Sequence, residues 1–293
     1  MIVDTQIHFW TKKYLSPNAL VYIKNMAKSM KTEPIFEAIP EKYIPEMELS
    51  EINKTIIHAT DFSYESNIRH LEYLKFISAI LKNYPDLFLG LCGVDPRRKN
   101  AIELFQKGID LDFCGLKIFP GAGFRPDDEM CIPLYKLAEK NDLPVAVHSG
   151  FTASPYSMEL SQPIYLERIL EECPDLKLIA STQLAFPFTY ELSAVMRKFE
   201  NVYTDYAPMN IDAPEVGIAQ NILSIKIMVD ERHRIMFATN WPFSLGRMKD
   251  WTDLNAKIKL PTLSKLVGLN NVSKVDREYI MGLTACDLFN LKS

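Results

Sequence analysis

Short apolar runs rich in β-branched residues recur eight times along this chain, at residues 1–8, 54–60, 87–93, 113–119, 143–148, 176–182, 201–206 and 234–239. Between them lie segments with apolar residues at the helical period, among them Asn67 to Lys82, Glu129 to Lys140, Ile164 to Glu172 and Tyr190 to Phe199. Pro133 marks one helix start, and Asp95 with Pro96 precedes another helix that runs toward Lys107. Strand, helix, strand repeated with right-handed crossovers builds a parallel sheet, and eight such units close into a barrel. The rival, a doubly wound open sheet, expects a glycine-rich turn after its first strand; Phe9, Trp10 and Thr11 stand there instead. The expected architecture is therefore an α/β fold, a (β/α)8 TIM barrel in one domain over residues 1–293. Residues 11–50 are too many for an ordinary βα loop and are expected to form a helical insertion, a lid over the barrel mouth.

Composition narrows the function classes. At 293 residues and 47% hydrophobic, the chain can bury a large core. A net charge of -4, with no basic run, argues against nucleic acid or an anionic membrane as partner. The five cysteines (Cys92, Cys114, Cys131, Cys173, Cys286) are odd in number and form no C-x-x-C pair, so they read as reduced, mostly buried thiols. The chain opens directly on a strand pattern, and no segment reaches the roughly 20 apolar residues that span a bilayer. A cytoplasmic location is expected.

In such a barrel the C-terminal strand ends build the active site, so polar residues there carry functional weight. Gln6 and His8, two apart, lie on one face of the first strand. Lys117 interrupts the apolar run from Cys114 to Pro120, where a charge must face a polar cavity or pay heavily for burial. His148 closes the fifth strand, Gln183 follows the sixth, Asp205 ends the seventh, and Asn240 and Trp241 follow the eighth.

At these residues the chain resembles the amidohydrolase-related family, the "amidohydrolase 2" group. The resemblance runs the whole length and rests on Asp4 to His8, the loop Gly123 to Asp128, Pro144 to Gly150, Leu178 to Pro187, Arg234 to Phe243 and Asp276 to Phe289. It implies decarboxylase, lactonase or hydratase chemistry on small carboxylic acids. It also implies metal ligands at a His-x-His pair, a His after strand five, a His after strand six and an Asp after strand eight. This sequence keeps only His8 and His148 of that set. Gln6, Gln183 and Asn240 replace the others, although Thr182 is an alternative occupant of the strand-six position. Two imidazoles and three amides make a poor zinc site, and the Asn240 amide cannot act as a base. No metal and no cofactor are expected.

Without a metal, His8 or His148 could act as base, with Lys117 polarising a carbonyl and Asp205 or Asp61 as alternative carboxylates. Arg125 could bind a substrate carboxylate, Gln6, Gln183 and Asn240 could hydrogen-bond the substrate, and Trp10 and Trp241 could wall the pocket. Each has a plainer reading: hydrogen-bonded core histidines, a lysine paired with a carboxylate, an Arg125–Asp128 ion pair fixing a loop, an Asp205 anchoring a turn, and packed tryptophans. His58, His70 and His233 read as structural or solvated. The leading expectation is a hydrolase acting without metal on a small carboxylate, lactone or amide. The alternatives are a catalytically lost barrel that binds a small molecule or protein, and a decarboxylase that recruits metal through His8, His148 and a nonstandard third ligand. The residues are silent on oligomeric state; the resemblance alone suggests a homodimer.

Overall fold

The computed structural model describes residues 1–29, 32–64, 66, 68–181, 188–206, 231–243 and 273–292. Eight parallel strands follow one another in a single sheet in chain order: β1 (Val3–Ile7), β2 (Lys54–Ala59), β3 (Phe88–Gly93), β4 (Leu116–Ile118), β5 (Val145–His148), β6 (Leu178–Ser181), β7 (Val202–Tyr206) and β8 (Ile235–Phe237). Each lies inside a run expected from the apolar pattern. The helices between them are α3 (His70–Asn83), α4 (Ala101–Asp110), α5 (Ile132–Lys140), α6 (Leu166–Glu172) and α7 (Phe188–Lys198). Pro133 sits in the first turn of α5, where its missing N–H costs nothing. The chain is a (β/α)8 TIM barrel. The insertion after β1 is helical, with α1 (Pro17–Ser29) and α2 (Pro40–Leu49). After β8, the last described helices are α8 (Lys274–Glu278) and α9 (Thr284–Phe289).

Strand periodicity sorts the barrel interior into two layers. Ile56, Leu91, Ala146, Ile179 and Met236 form one apolar cluster, capped by Ala285, Cys286, Leu288 and Phe289 of α9. Their strand neighbours Ile57, Val145, Val147, Leu178, Ala180, Ile235 and Phe237 belong instead to the main core cluster shared with the outer helices. Two residues further along each inward face come His58, Gly93, His148, Ser181 and Ala238. The closed end is thus apolar and the C-terminal end polar.

Two local devices place the first strand. The β1–β2 register shifts between Asp4 and Ile7, a bulge that lets Val3 join the inner apolar cluster while Gln6 and His8, an odd step away, enter the polar layer. The barrel then closes at the same spot: Asn240 N–H donates to Gln6 C=O at 2.9 Å, and His8 N–H donates to Trp241 C=O at 2.9 Å. Asp4 reinforces the seam. Its carboxylate accepts Thr239 N–H at 2.9 Å, the Thr239 hydroxyl at 2.6 Å and the Tyr43 hydroxyl at 3.0 Å. Tyr43, on α2, also meets Thr55 Oγ1 at 2.8 Å, so the insertion is pinned to both β1 and β2.

Tyr43→Phe removes both hydroxyl contacts with little change of shape, and is expected to cost about 1–3 kcal/mol in a urea unfolding titration. A loss below about 0.5 kcal/mol would show that the Asp4 seam does not depend on the insertion.

Candidate active site

The polar layer surrounds a small cavity lined by Gln6, His8, Tyr22, Thr60, Phe62, Lys117, Phe119, His148, Asn240 and Phe243. Its free space of about 10 Å³ holds roughly one water. Tyr22, from the inserted α1, is the hub of the aromatic wall, with ring centroids 5.8 Å from Phe62, 6.0 Å from Phe119 and 5.9 Å from Phe243.

Five of the expected site residues converge here: Gln6, His8, Lys117, His148 and Asn240. Lys117 is 2% exposed, and its Nζ has no hydrogen-bond partner among the described residues. Its strand neighbours Leu116 and Ile118 point into the outer core, so strand alternation alone drives the ammonium inward. Burial lowers its pKa from 10.5 to about 8, against the pull of the Asp205 charge.

The two retained imidazoles differ in what holds them. His148 Nε2 faces the Phe151 carbonyl at 3.1 Å and Thr152 Oγ1 at 2.8 Å. A carbonyl only accepts, so Nε2 carries the proton and Nδ1 the lone pair. His8 Nδ1 faces the His58 carbonyl at 3.1 Å, and its Nε2 lies 3.2 Å from the Asn240 amide. That amide also meets the Gln6 amide at 3.3 Å. Asn240 has a left-handed backbone, φ 55°, a conformation asparagine tolerates better than most residues.

Other expected residues lie elsewhere. Asp205 is buried and accepts a 2.6 Å hydrogen bond from Ser181 Oγ, but it does not line the cavity. Arg125 is outside it too: the guanidinium pairs with Asp127 at 2.6 and 2.9 Å and stacks over Tyr165. Asp128 instead accepts the Arg125 backbone N–H at 2.8 Å. Trp241 packs against Phe9 and Tyr43, and Phe243, two residues on, lines the cavity. Trp10 stacks on the His8 ring at 5.8 Å. Asp61 is engaged by Arg98 at 2.6 and 2.9 Å and by His70 at 3.2 Å; burial opposes its charge, but His70 and the Arg98 guanidinium hold its pKa down to about 2. Gln183 and Thr182 lie outside the described residues.

Sequence reasoning missed Ser181 and Tyr22, along with the lining residues Thr60, Phe62, Phe119 and Phe243, and it read His58 as structural or solvated. Ser181 joins Gln6 to Asp205, contacting Gln6 at 3.2 Å. Its position two residues beyond Ile179 on an inward strand face was the available signal. Tyr22 sits in the insertion, and no strand pattern marks it. His58 donates from Nε2 to the Thr5 carbonyl at 3.0 Å, leaving Nδ1 buried and without a partner among the described residues.

The comparisons with known proteins agree with the barrel fold. A family model described as amidohydrolase matches residues 3–291. The chain belongs to the amidohydrolase family. Among solved structures it is similar to a TIM-barrel protein from Bordetella bronchiseptica, with TM-score 0.69, 21% identity, and coverage of 99% of this chain and 98% of that one. It is also similar to 2,6-dihydroxybenzoate decarboxylase from Rhizobium, with TM-score 0.68, 16% identity, and coverage of 100% and 99%. A third is a probable 2-pyrone-4,6-dicarboxylic acid hydrolase from Acinetobacter baumannii with citric acid bound, with TM-score 0.64, 12% identity, and 99% of both chains covered. No curated protein matches the sequence. Among the described residues, no helix of this amidohydrolase-family chain is long and apolar enough to cross a membrane.

The buried imidazoles set a pH dependence of stability. Burial first, then the Lys117 charge, lowers His8 and His148 from 6.5 to about 3. Because the unfolded chain binds those protons more tightly, their stabilising effect is full above about pH 6.5 and is lost as pH falls toward 3. Asp4 acts in the opposite sense. Burial raises it from 3.8 to about 6, so its contribution falls as pH rises through that window. Thermal melts are expected to show stability declining below pH 6.5, with His148→Asn flattening the decline. A decline equally steep in the variant would contradict the neutral, buried state of His148.

Proposed function

We propose that this protein is a hydrolase acting without a metal on a small carboxylate-bearing lactone, ester or amide, with Lys117 as electrophile and His148 as base. The observation that supports the reading is the Lys117 ammonium, unpartnered among the described residues, in a cavity that His148 also lines, with the His148 lone pair on Nδ1. The residues do not fit a divalent cation. The described donor set is two imidazoles and two neutral amides, and a cation there would face the Lys117 charge with no carboxylate among the described residues that line the cavity. Among the described residues, no group of three or more His, Cys, Asp or Glu side chains comes together as a candidate ligand set.

In this reading the substrate carbonyl oxygen takes hydrogen bonds from Lys117 Nζ, whose charge stabilises the oxyanion in a low-dielectric site. Water attacks the carbonyl carbon as His148 Nδ1 accepts its proton; the C–O or C–N bond then breaks, and the imidazolium returns the proton to the leaving atom. An oxyanion beside Lys117 also cancels the charge that depresses His148, so the imidazole gains basicity as the reaction proceeds. Arg125 does not hold the substrate carboxylate in this scheme. It stays with Asp127 outside the cavity.

The activities of the structural neighbours supply the assay. Purified protein is tested for hydrolysis of 2-pyrone-4,6-dicarboxylate and for carbon dioxide release from 2,6-dihydroxybenzoate, alongside other small lactones and amides. Hydrolytic turnover is expected, with Lys117→Met lowering kcat/KM by about 100-fold or more while far-UV circular dichroism is unchanged. Decarboxylation without any hydrolysis, or full hydrolytic activity in Lys117→Met, would contradict the proposal.

A further inference from the structure

An amide's two ends have the same shape, so the sense of its hydrogen bonds is set by what its partners can give or accept. Five consecutive contacts cross the polar layer of this barrel. They run from the His58 carbonyl to His8 Nδ1 at 3.1 Å, His8 Nε2 to Asn240 at 3.2 Å, Asn240 to Gln6 at 3.3 Å, Gln6 to Ser181 Oγ at 3.2 Å, and Ser181 Oγ to Asp205 Oδ2 at 2.6 Å. A single Asn240 atom makes both the Gln6 and the His8 contact.

Each end of this chain only accepts. At one end the His58 carbonyl requires the proton on His8 Nδ1, which leaves Nε2 as a lone pair and obliges Asn240 to donate to it. At the other end the Asp205 carboxylate takes the one Ser181 hydroxyl proton. Ser181 must then accept from Gln6, whose NH2 faces it, so the Gln6 carbonyl faces Asn240 and again obliges Asn240 to donate. The two deductions meet without conflict, because an NH2 group has one hydrogen for each partner.

We infer that the Asn240 amide turns its NH2 group into the seam, where it donates at once to His8 Nε2 and to Gln6 Oε1. The reverse sense would need two extra protons, one on Asp205 and one making His8 an imidazolium, in a buried layer beside Lys117. The consequence is chemical. The His8 lone pair and the Gln6 carbonyl, the atoms that would point at a cation, are both occupied by one amide nitrogen. His8 has no lone pair to offer a substrate, and the base role passes to His148. Ser181 and Asp205 fix the sense of the chain from the far side.

The test is nitrogen NMR of the full-length protein labelled at histidine, near neutral pH, with His8 signals assigned by their loss in His8→Gln. The expected result is His8 as the neutral Nδ1–H tautomer, with His148 and His58 as Nε2–H. Zinc chloride added to one equivalent per chain leaves the His8 signals in place. Asn240→Asp, which replaces the donor with acceptors, moves a proton onto His8 Nε2. If that variant does not fold, Ser181→Ala serves as the second arm and leaves the His8 tautomer unchanged, because the His58 carbonyl fixes it independently. An Nε2–H or doubly protonated His8 in the wild type, or His8 signals displaced by one equivalent of zinc, overturns the assignment. None of these readouts depends on the proposed reaction, so hydrolysis can fail while the chain stands.

Discussion

Closure of the barrel between its first and last strands is the constraint on which the site depends. The backbone bonds that close it, Asn240 N–H to the Gln6 carbonyl and His8 N–H to the Trp241 carbonyl, belong to the residues whose side chains line the cavity. The bulge in β1 and the left-handed backbone at Asn240 place those side chains together, and the Asp4 carboxylate holds the seam from outside the cavity. Closing the sheet and assembling the polar layer are therefore one event. A change at Gln6, His8 or Asn240 acts on both.

Within that frame, burial sets the electrostatics and the Lys117 charge is the next largest influence on the imidazoles. An ammonium without a hydrogen-bond partner among the described residues is unfavourable in a buried cavity at rest, and it adds to burial in depressing His8, His58 and His148. In the proposed reaction the same feature would make it effective against a developing negative charge, since the local dielectric is low. The aromatic wall centred on Tyr22 supplies that low dielectric. It comes from the insertion, so the long segment after β1 contributes to the cavity as well as covering strands.

Much of this was legible in the sequence because strand alternation is a strict rule. The eight apolar runs give the eight strands, and polar residues at their C-terminal ends give Gln6, His8, Lys117, His148 and Asn240, which do converge. What was not legible depends on contacts between distant segments. The sequence offers Arg125 either a substrate carboxylate or an ion pair with Asp128, but its guanidinium pairs with Asp127 outside the cavity. Trp241 and Phe243 are both aromatic residues after β8, and only the turn geometry decides which one reaches the cavity. Ser181 looks like an ordinary strand residue until its neighbours on β1 and β7 are known. The sense of the Gln6–Asn240 pair needs both ends of a chain of residues spread over the whole sequence.

The central claim is that a hydrogen-bonded amide and a buried ammonium have replaced a metal in this amidohydrolase-family barrel. The most direct measurement is the metal content of the active, untagged protein by plasma mass spectrometry, with turnover measured before and after dialysis against a chelator. The account predicts no stoichiometric zinc, manganese or iron and unchanged turnover. One metal per chain, with activity lost on its removal and restored on its return, would contradict it.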